Sequence, residues 1–170
     1  MSDILFRNRF RIPSTRLPGW DYGRGGTYCV TICTLNRICW LGEVTGEEMV
    51  PSDLGEIVAE EWLEMARRRS HVELDAWVVM PNHMHGILYL QPPRFNERPK
   101  SLGEAIGHFK GACTSRIWAS GQREFAWQPR FFAQIVRSEE TLLWFRKYIL
   151  ENPQRWEDDR HHPKRQEDSR

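Results

Sequence analysis

At 170 residues the chain is long enough for one domain with a real core and too short for two comfortable ones. No apolar run approaches the roughly 20 residues of a membrane span, and the arginine-rich, interrupted start MSDILFRNRFRIPSTRLPGW argues against a secretory signal, so the expected setting is cytoplasmic with no membrane partner. The net charge of +1 hides segregation: residues 1–42 carry six Arg against two Asp, 43–75 three Arg against ten Asp and Glu, 76–93 no charged side chain, and 94–155 eleven Lys and Arg against six Glu, a pattern suited to a phosphate-bearing partner.

Residues 1–26 hold Pro13, Pro18, Gly19, Gly23, Gly25 and Gly26 without periodicity and read as an N-terminal arm. The β-branched and aromatic run TYCVTICTL predicts a first strand over Thr27 to Leu35, and LGEVTGEEM a turn or short hairpin. In PSDLGEIVAEEWLEMARRRS the apolar residues Leu54, Ile57, Val58, Trp62, Met65 and Ala66 recur at helical spacing. Asp53 with Glu56 supplies a capping pattern, and Arg67, Arg68 and Arg69 suit the negative end of the helix dipole. VELDAWVVM and HMHGILYLQ, separated by the turn-forming Pro81-Asn82, predict a hairpin.

After the Pro-rich connection QPPRFNERPK, a capping box from Ser101 to Glu104 opens a second helix with Leu102, Ala105, Ile106, Phe109 and Cys113 on one face. PRFFAQIVRS predicts a fourth strand, and SEETLLWFRKYILENP a third helix opened by Ser138 and closed by Pro153. The order predicts an α+β, ferredoxin-like βαββαβ fold: a four-stranded antiparallel sheet with two helices on one face, plus an additional C-terminal helix carrying Tyr148. The domain is expected over 27–156, with 157–170 a polar, loosely docked tail. Cys29, Cys33, Cys39 and Cys113 lack the paired spacing of a structural zinc site and read as reduced thiols.

The chemistry gathers around MPNHMHGILYL. On a strand, the period of two points His83 and His85 at one face and Met84 at the other, and a pair so placed can share a metal ion. Two imidazoles on a central strand need partners, because an unsatisfied polar face inside a small sheet is costly. The third helix offers Tyr148 and Asn152, one turn apart, beside an apolar stripe of Phe145 and Ile149 that would hold it to the sheet. A tyrosine hydroxyl, with a pKa near 10, needs charge stabilisation at the phosphoryl oxygens before it can attack a phosphodiester at neutral pH, and a metal on neutral imidazoles supplies it.

With these residues in view, VVMPNHMHGILYL, WQPRFFAQIVRSEETL and FRKYILENPQRW together resemble the single-tyrosine HUH transposases of the insertion-sequence-200 type. The Tyr-x-x-x-Asn spacing from Tyr148 to Asn152 is more similar to their REP-associated tyrosine transposase branch. The resemblance implies a metal-dependent single-stranded DNA endonuclease and strand transferase acting near hairpins through a 5′-phosphotyrosine on Tyr148. His83, His85 and Asn152 would hold Mg²⁺ or Mn²⁺. The sequence departs from many members at Ala133-Gln134, where they carry a histidine. Members act as monomers with the site completed in cis or as homodimers with it shared, and both states stay open for this chain.

Arg130, Arg137, Arg146 and Lys147 are the candidate phosphate contacts, and hairpin recognition is expected to draw on the N-terminal arm and the basic segment 94–137. Trp20, Tyr22, Trp127 and Phe131 are candidates to stack bases, with packing the competing role, and His108 reads as a partly buried imidazole. Two other readings remain: a domesticated protein that binds DNA hairpins without cutting, and a metallohydrolase or RNA-binding module on the same fold.

Overall fold

The computed structural model describes residues 25–164, so most of the expected N-terminal arm, including Trp20 and Tyr22, lies outside the described residues. Four strands, β1 (Gly26–Cys33), β4 (Val72–Met80), β5 (His83–Leu90) and β6 (Phe132–Val136), form one sheet in the order β4-β5-β1-β6. Each neighbouring pair is antiparallel. Between β1 and β4 lie the small hairpin of β2 (Gly42–Thr45) and β3 (Glu48–Pro51), then helix α1 (Asp53–Arg68). Helix α2 (Leu102–Ala119) links β5 to β6, and α3 (Glu139–Leu150) follows β6. This is the ferredoxin-like order with an added helix.

Alternation along the two central strands separates two packed layers. On one face Tyr28, Val30 and Ile32 of β1 join Met84, Leu88 and Leu90 of β5 beneath α1 and α2, which contribute Val58, Trp62, Met65, Ile106, Phe109, Cys113 and Ile117. Burying an aliphatic or aromatic side chain there contributes about 1.5–3 kcal/mol over leaving it exposed. Trp62 meets Phe109 edge-on at 5.2 Å, and Gly86 of β5 leaves the room that the Trp62 indole takes. The opposite face holds a smaller apolar cluster, in which Cys29 and Ile87 pack against Phe145 and Ile149 of α3. That stripe positions α3 over the odd-numbered residues of β5.

Helix α1 starts differently from expectation. Its cap is Ser52, whose extended backbone lets Oγ accept from the Gly55 N–H, while Asp53 is already the first helical residue. The capping box of Ser101 and Glu104 and the cap of Ser138, which accepts from the Thr141 N–H, are as expected. Trp127 is buried in the core with Phe131 packed against it, and His108 is exposed rather than partly buried. All four cysteines are free, and only Cys39 is exposed. Among the described residues no helix is long and apolar enough to cross a membrane.

The C-terminal segment is more ordered than its polarity suggested. A 3-10 turn over Pro153–Asp158 buries Trp156 and returns the chain to the sheet. Asp159 and His161, expected in a loosely docked tail, are buried at 7% and 1% exposure.

Candidate metal and nucleophile site

The pleat of β5 turns His83 and His85 toward the α3 side, opposite Cys33 and Thr31 of β1. Both rings are buried, and their Nε2 atoms stand 3.1 Å apart. Each Nδ1 has its own partner: Asn82 Oδ1 at 2.9 Å from His83, and Thr31 Oγ1 at 2.8 Å from His85. The Asn82 amide nitrogen donates to the carbonyls of Arg37 (2.9 Å) and His161 (2.8 Å), which leaves its Oδ1 to accept. The proton of neutral His83 therefore sits on Nδ1, and a lone pair points from Nε2 toward its neighbour. The Thr31 hydroxyl can donate or accept, so it serves either tautomer of His85.

Helix α3 brings Tyr148 to this pair. Its ring lies 5.3 Å from that of His85, centre to centre, and stacks on Trp144 at 5.4 Å with a 9° interplanar angle. Asn152, one turn on, is 1% exposed, and its Oδ1 is buried with no hydrogen-bond partner among the described residues. A buried, unpartnered carboxamide oxygen is expensive unless something occupies the space it faces.

The returning C-terminal segment supplies two further groups. One carboxylate oxygen of Asp159 and one ring nitrogen each of His83 and His85 all lie within 4.8 Å of one another. The His161 ring is 4.5 Å from that of His83, with Nδ1 3.8 Å from Cys33 Sγ and its backbone N–H donating to Asp159 Oδ1 at 2.6 Å. Two imidazole nitrogens and a carboxylate form a mixed N,O donor set of the kind that takes a divalent cation.

Burial tunes the three histidines, Tyr148 and Asp159. It lowers His83 well below the ordinary range, aided by His161 and His85, takes His85 down to about 3, and takes His161 down to about 2. The imidazoles are thus neutral near pH 7, with lone pairs available to a metal. Tyr148 is pushed up by burial and by Asp159, while Arg160 and a hydrogen bond from the Asn152 side chain pull the other way. Asp159 is raised by burial.

Beside Tyr148 opens a cavity of about 40 Å³ lined by Thr31, His85, Phe132, Gln134, Trp144 and Arg160, among others. Gln134 thus faces the site, opposite Cys29 on β1. None of the four cations named from sequence lines this cavity. Arg146 holds Asp75 of β4 through Nε (2.9 Å) and Nη2 (2.6 Å), and Lys147 pairs with Glu151 at 3.7 Å. Arg130 and Arg137 are exposed, just before and just after β6. Sequence reasoning brought together His83, His85, Tyr148 and Asn152 but missed Asp159, Arg160 and His161, which it assigned to a polar tail. The available signal was Trp156, a large apolar residue with no role in a solvated segment.

Comparisons with known proteins place the chain in a family and a fold. Residues 31–152 match the family described as "Transposase IS200 like". The chain is 32% identical over 164 residues to an uncharacterised protein of Haemophilus influenzae, covering 86% of this chain and 90% of that one. It is 29% identical over 132 residues to a REP-associated tyrosine transposase of Escherichia coli, covering 78% and 68%. Among solved structures, a REP-associated tyrosine transposase bound to a REP hairpin superposes with a TM-score of 0.59 at 25% identity, covering 82% of this chain and 73% of that one. A putative transposase of Deinococcus radiodurans shares the fold at a TM-score of 0.52 and 21% identity, covering 81% and 96%.

Proposed function

Because this chain belongs to the IS200-like transposase family, we propose that it cleaves and rejoins single-stranded DNA beside hairpins, using Tyr148 as nucleophile and a divalent ion, Mg²⁺ or Mn²⁺, held by His83, His85 and Asn152. Asp159, with a carboxylate oxygen within 4.8 Å of a ring nitrogen of each histidine, supports a fourth ligand in this reading. The observation that carries the reading is the convergence of two Nε2 atoms 3.1 Å apart, an Asp159 carboxylate oxygen within 4.8 Å of a ring nitrogen of each, and a tyrosine ring 5.3 Å from His85; the buried, unpartnered Asn152 Oδ1 one turn beyond Tyr148 supports it. The REP hairpin bound by the structural relative favours a hairpin as the DNA partner.

In this reading the Tyr148 oxygen attacks the scissile phosphorus as its phenolic proton departs. A new P–O bond forms to the tyrosine, the bond to the 3′ oxygen breaks, and that oxygen takes up a proton to leave a 3′-OH. The 5′-phosphotyrosine keeps the energy of the phosphodiester, so a second 3′-OH can reverse the step and join strands. A bound divalent ion would act as Lewis acid on the phosphoryl oxygens. Asn82 and Thr31 orient the imidazoles, the Phe145–Ile149 stripe holds the helix in place, and Trp144 restrains the phenol ring. All these groups come from one chain, which favours a site completed in cis.

The test is to incubate the protein with labelled hairpin-bearing oligonucleotides and Mn²⁺ and to resolve the products under denaturing conditions. A covalent adduct mapped to Tyr148 by mass spectrometry is expected. Hairpin binding without any adduct would favour a binding protein, and hydrolysis without an adduct would favour a metallohydrolase.

A further inference from the structure

We infer that Arg160 is the phosphate-binding residue of this site, its guanidinium taking the phosphodiester that is presented to Tyr148 in the cavity walled by Phe132 and Trp144. The inference rests on the nuclease reading for which phosphate matters, but the contact itself is one of binding. Three observations carry it. Arg160 is the cation among the residues that line this cavity together with His85 and Tyr148. Its guanidinium carbon lies 5.7 Å from the centre of the Phe132 ring, an arrangement that holds the planar group over an aromatic face. Its Nε donates to His161 Nε2 at 3.1 Å, which ties the guanidinium to the histidine cluster.

The cavity has room for phosphoryl oxygens, since its 40 Å³ exceeds the roughly 10–15 Å³ that one water-sized group needs. Arginine suits the task because its fork presents donors in a plane that matches two oxygens of one phosphate. The same backbone positions the group: Arg37 Nη1 donates to the Arg160 carbonyl at 3.3 Å, and Asn82 holds the next residue by its carbonyl. The four cations named from sequence lie elsewhere, two of them in ion pairs with Asp75 and Glu151.

The test uses the full chain carrying Tyr148→Phe, so that no strand is cut, with Mn²⁺ present. Binding is measured to a hairpin with a single-stranded 5′ extension in which each linkage in turn is replaced by a neutral methylphosphonate. With Arg160 intact, one linkage is expected to weaken binding about tenfold when neutralised, and Arg160→Ala should abolish that sensitivity while lowering the salt slope by about 0.7, the single-strand value per phosphate. Arg160→Lys should restore part of both, and Mn²⁺ affinity should stay within about threefold throughout, as for a group that contacts phosphate rather than the ion. The inference is overturned if no linkage couples to Arg160, or if Arg160→Ala lowers Mn²⁺ affinity in step with DNA binding. An adduct formed by the unmodified chain is scored separately: coupling without an adduct sinks the chemistry and keeps the phosphate contact, and an adduct without coupling does the reverse.

Discussion

Asn82 is a one-residue hub for the site. Fully buried in the turn between β4 and β5, it accepts from His83 and donates to two carbonyls from distant parts of the chain. Replacing it with leucine removes the acceptor that fixes the His83 tautomer, and losing a hydrogen bond that orients a metal-binding imidazole costs about 10- to 100-fold in metal affinity. Calorimetric titration with Mn²⁺ should show that loss for Asn82→Leu, and unchanged affinity would show that the tautomer needs no fixing. Tyr148→Phe should abolish the covalent adduct on a denaturing gel while hairpin affinity stays within about threefold, since the ring still packs on Trp144. At this scale the sequence singled out candidates where chemistry and periodicity coincide: an H-x-H on a strand, and a Y-x-x-x-N running off the end of a helix. Asn82 looked like an ordinary turn residue and Asp159 like a solvated acid, because their roles arise from contacts 45 to 79 residues apart in the chain, such as those Asn82 makes.

Strand β5 carries both layers of the molecule, its odd residues serving the site and its even ones the core. Gly86 lets the strand pass close to the core helix α1, where an added Cβ would stand 2.4 Å from Cζ2 of the fully buried Trp62. Gly86→Ala forces the indole or the strand to move and should cost about 1–3 kcal/mol, read as a lower urea midpoint. Because His85 is the adjacent residue, Mn²⁺ affinity should fall with it, and a variant of full stability would contradict this view of the packing. Helix α3 is pinned from the opposite side by Phe145, Ile149 and the Arg146–Asp75 pair. That the helix packs on the sheet was legible from its apolar stripe. That Arg146 serves as a clamp to β4 was not, since a lysine-and-arginine face reads equally well as a DNA contact.

For the whole molecule, burying neutral histidines links stability to pH. His83, His85 and His161 all have folded pKa values below the ordinary 6.5, so below about pH 6.5 the unfolded chain binds protons that the folded chain refuses. Their contribution is whole above that pH and is lost as pH falls toward the folded values of about 3 for His85 and about 2 for His161. In the presence of a chelator, the urea midpoint should therefore drop between pH 7.5 and 5.5, more steeply than in His161→Gln. Mn²⁺ should raise Tm at both pH 7.5 and pH 5.5, because burial keeps the His83 and His85 imidazoles of the folded chain neutral and free to bind at both. The sheet order and two helical layers follow from alternation and caps, which are local signals. The docking of residues 159–161 onto the site is tertiary, and a charge-rich composition concealed it.

The central claim is that one cation on the paired imidazoles and the Tyr148 oxygen form a single centre. The most direct measurement is an anomalous difference map from crystals of the full chain soaked in Mn²⁺. The account predicts one strong peak within bonding distance of His83 Nε2 and His85 Nε2, joined by Asn152 Oδ1 or Asp159, with the Tyr148 hydroxyl facing the open side. Absence of a peak with the two rings still in contact, or a peak with the Tyr148 hydroxyl turned away from it, would contradict the account.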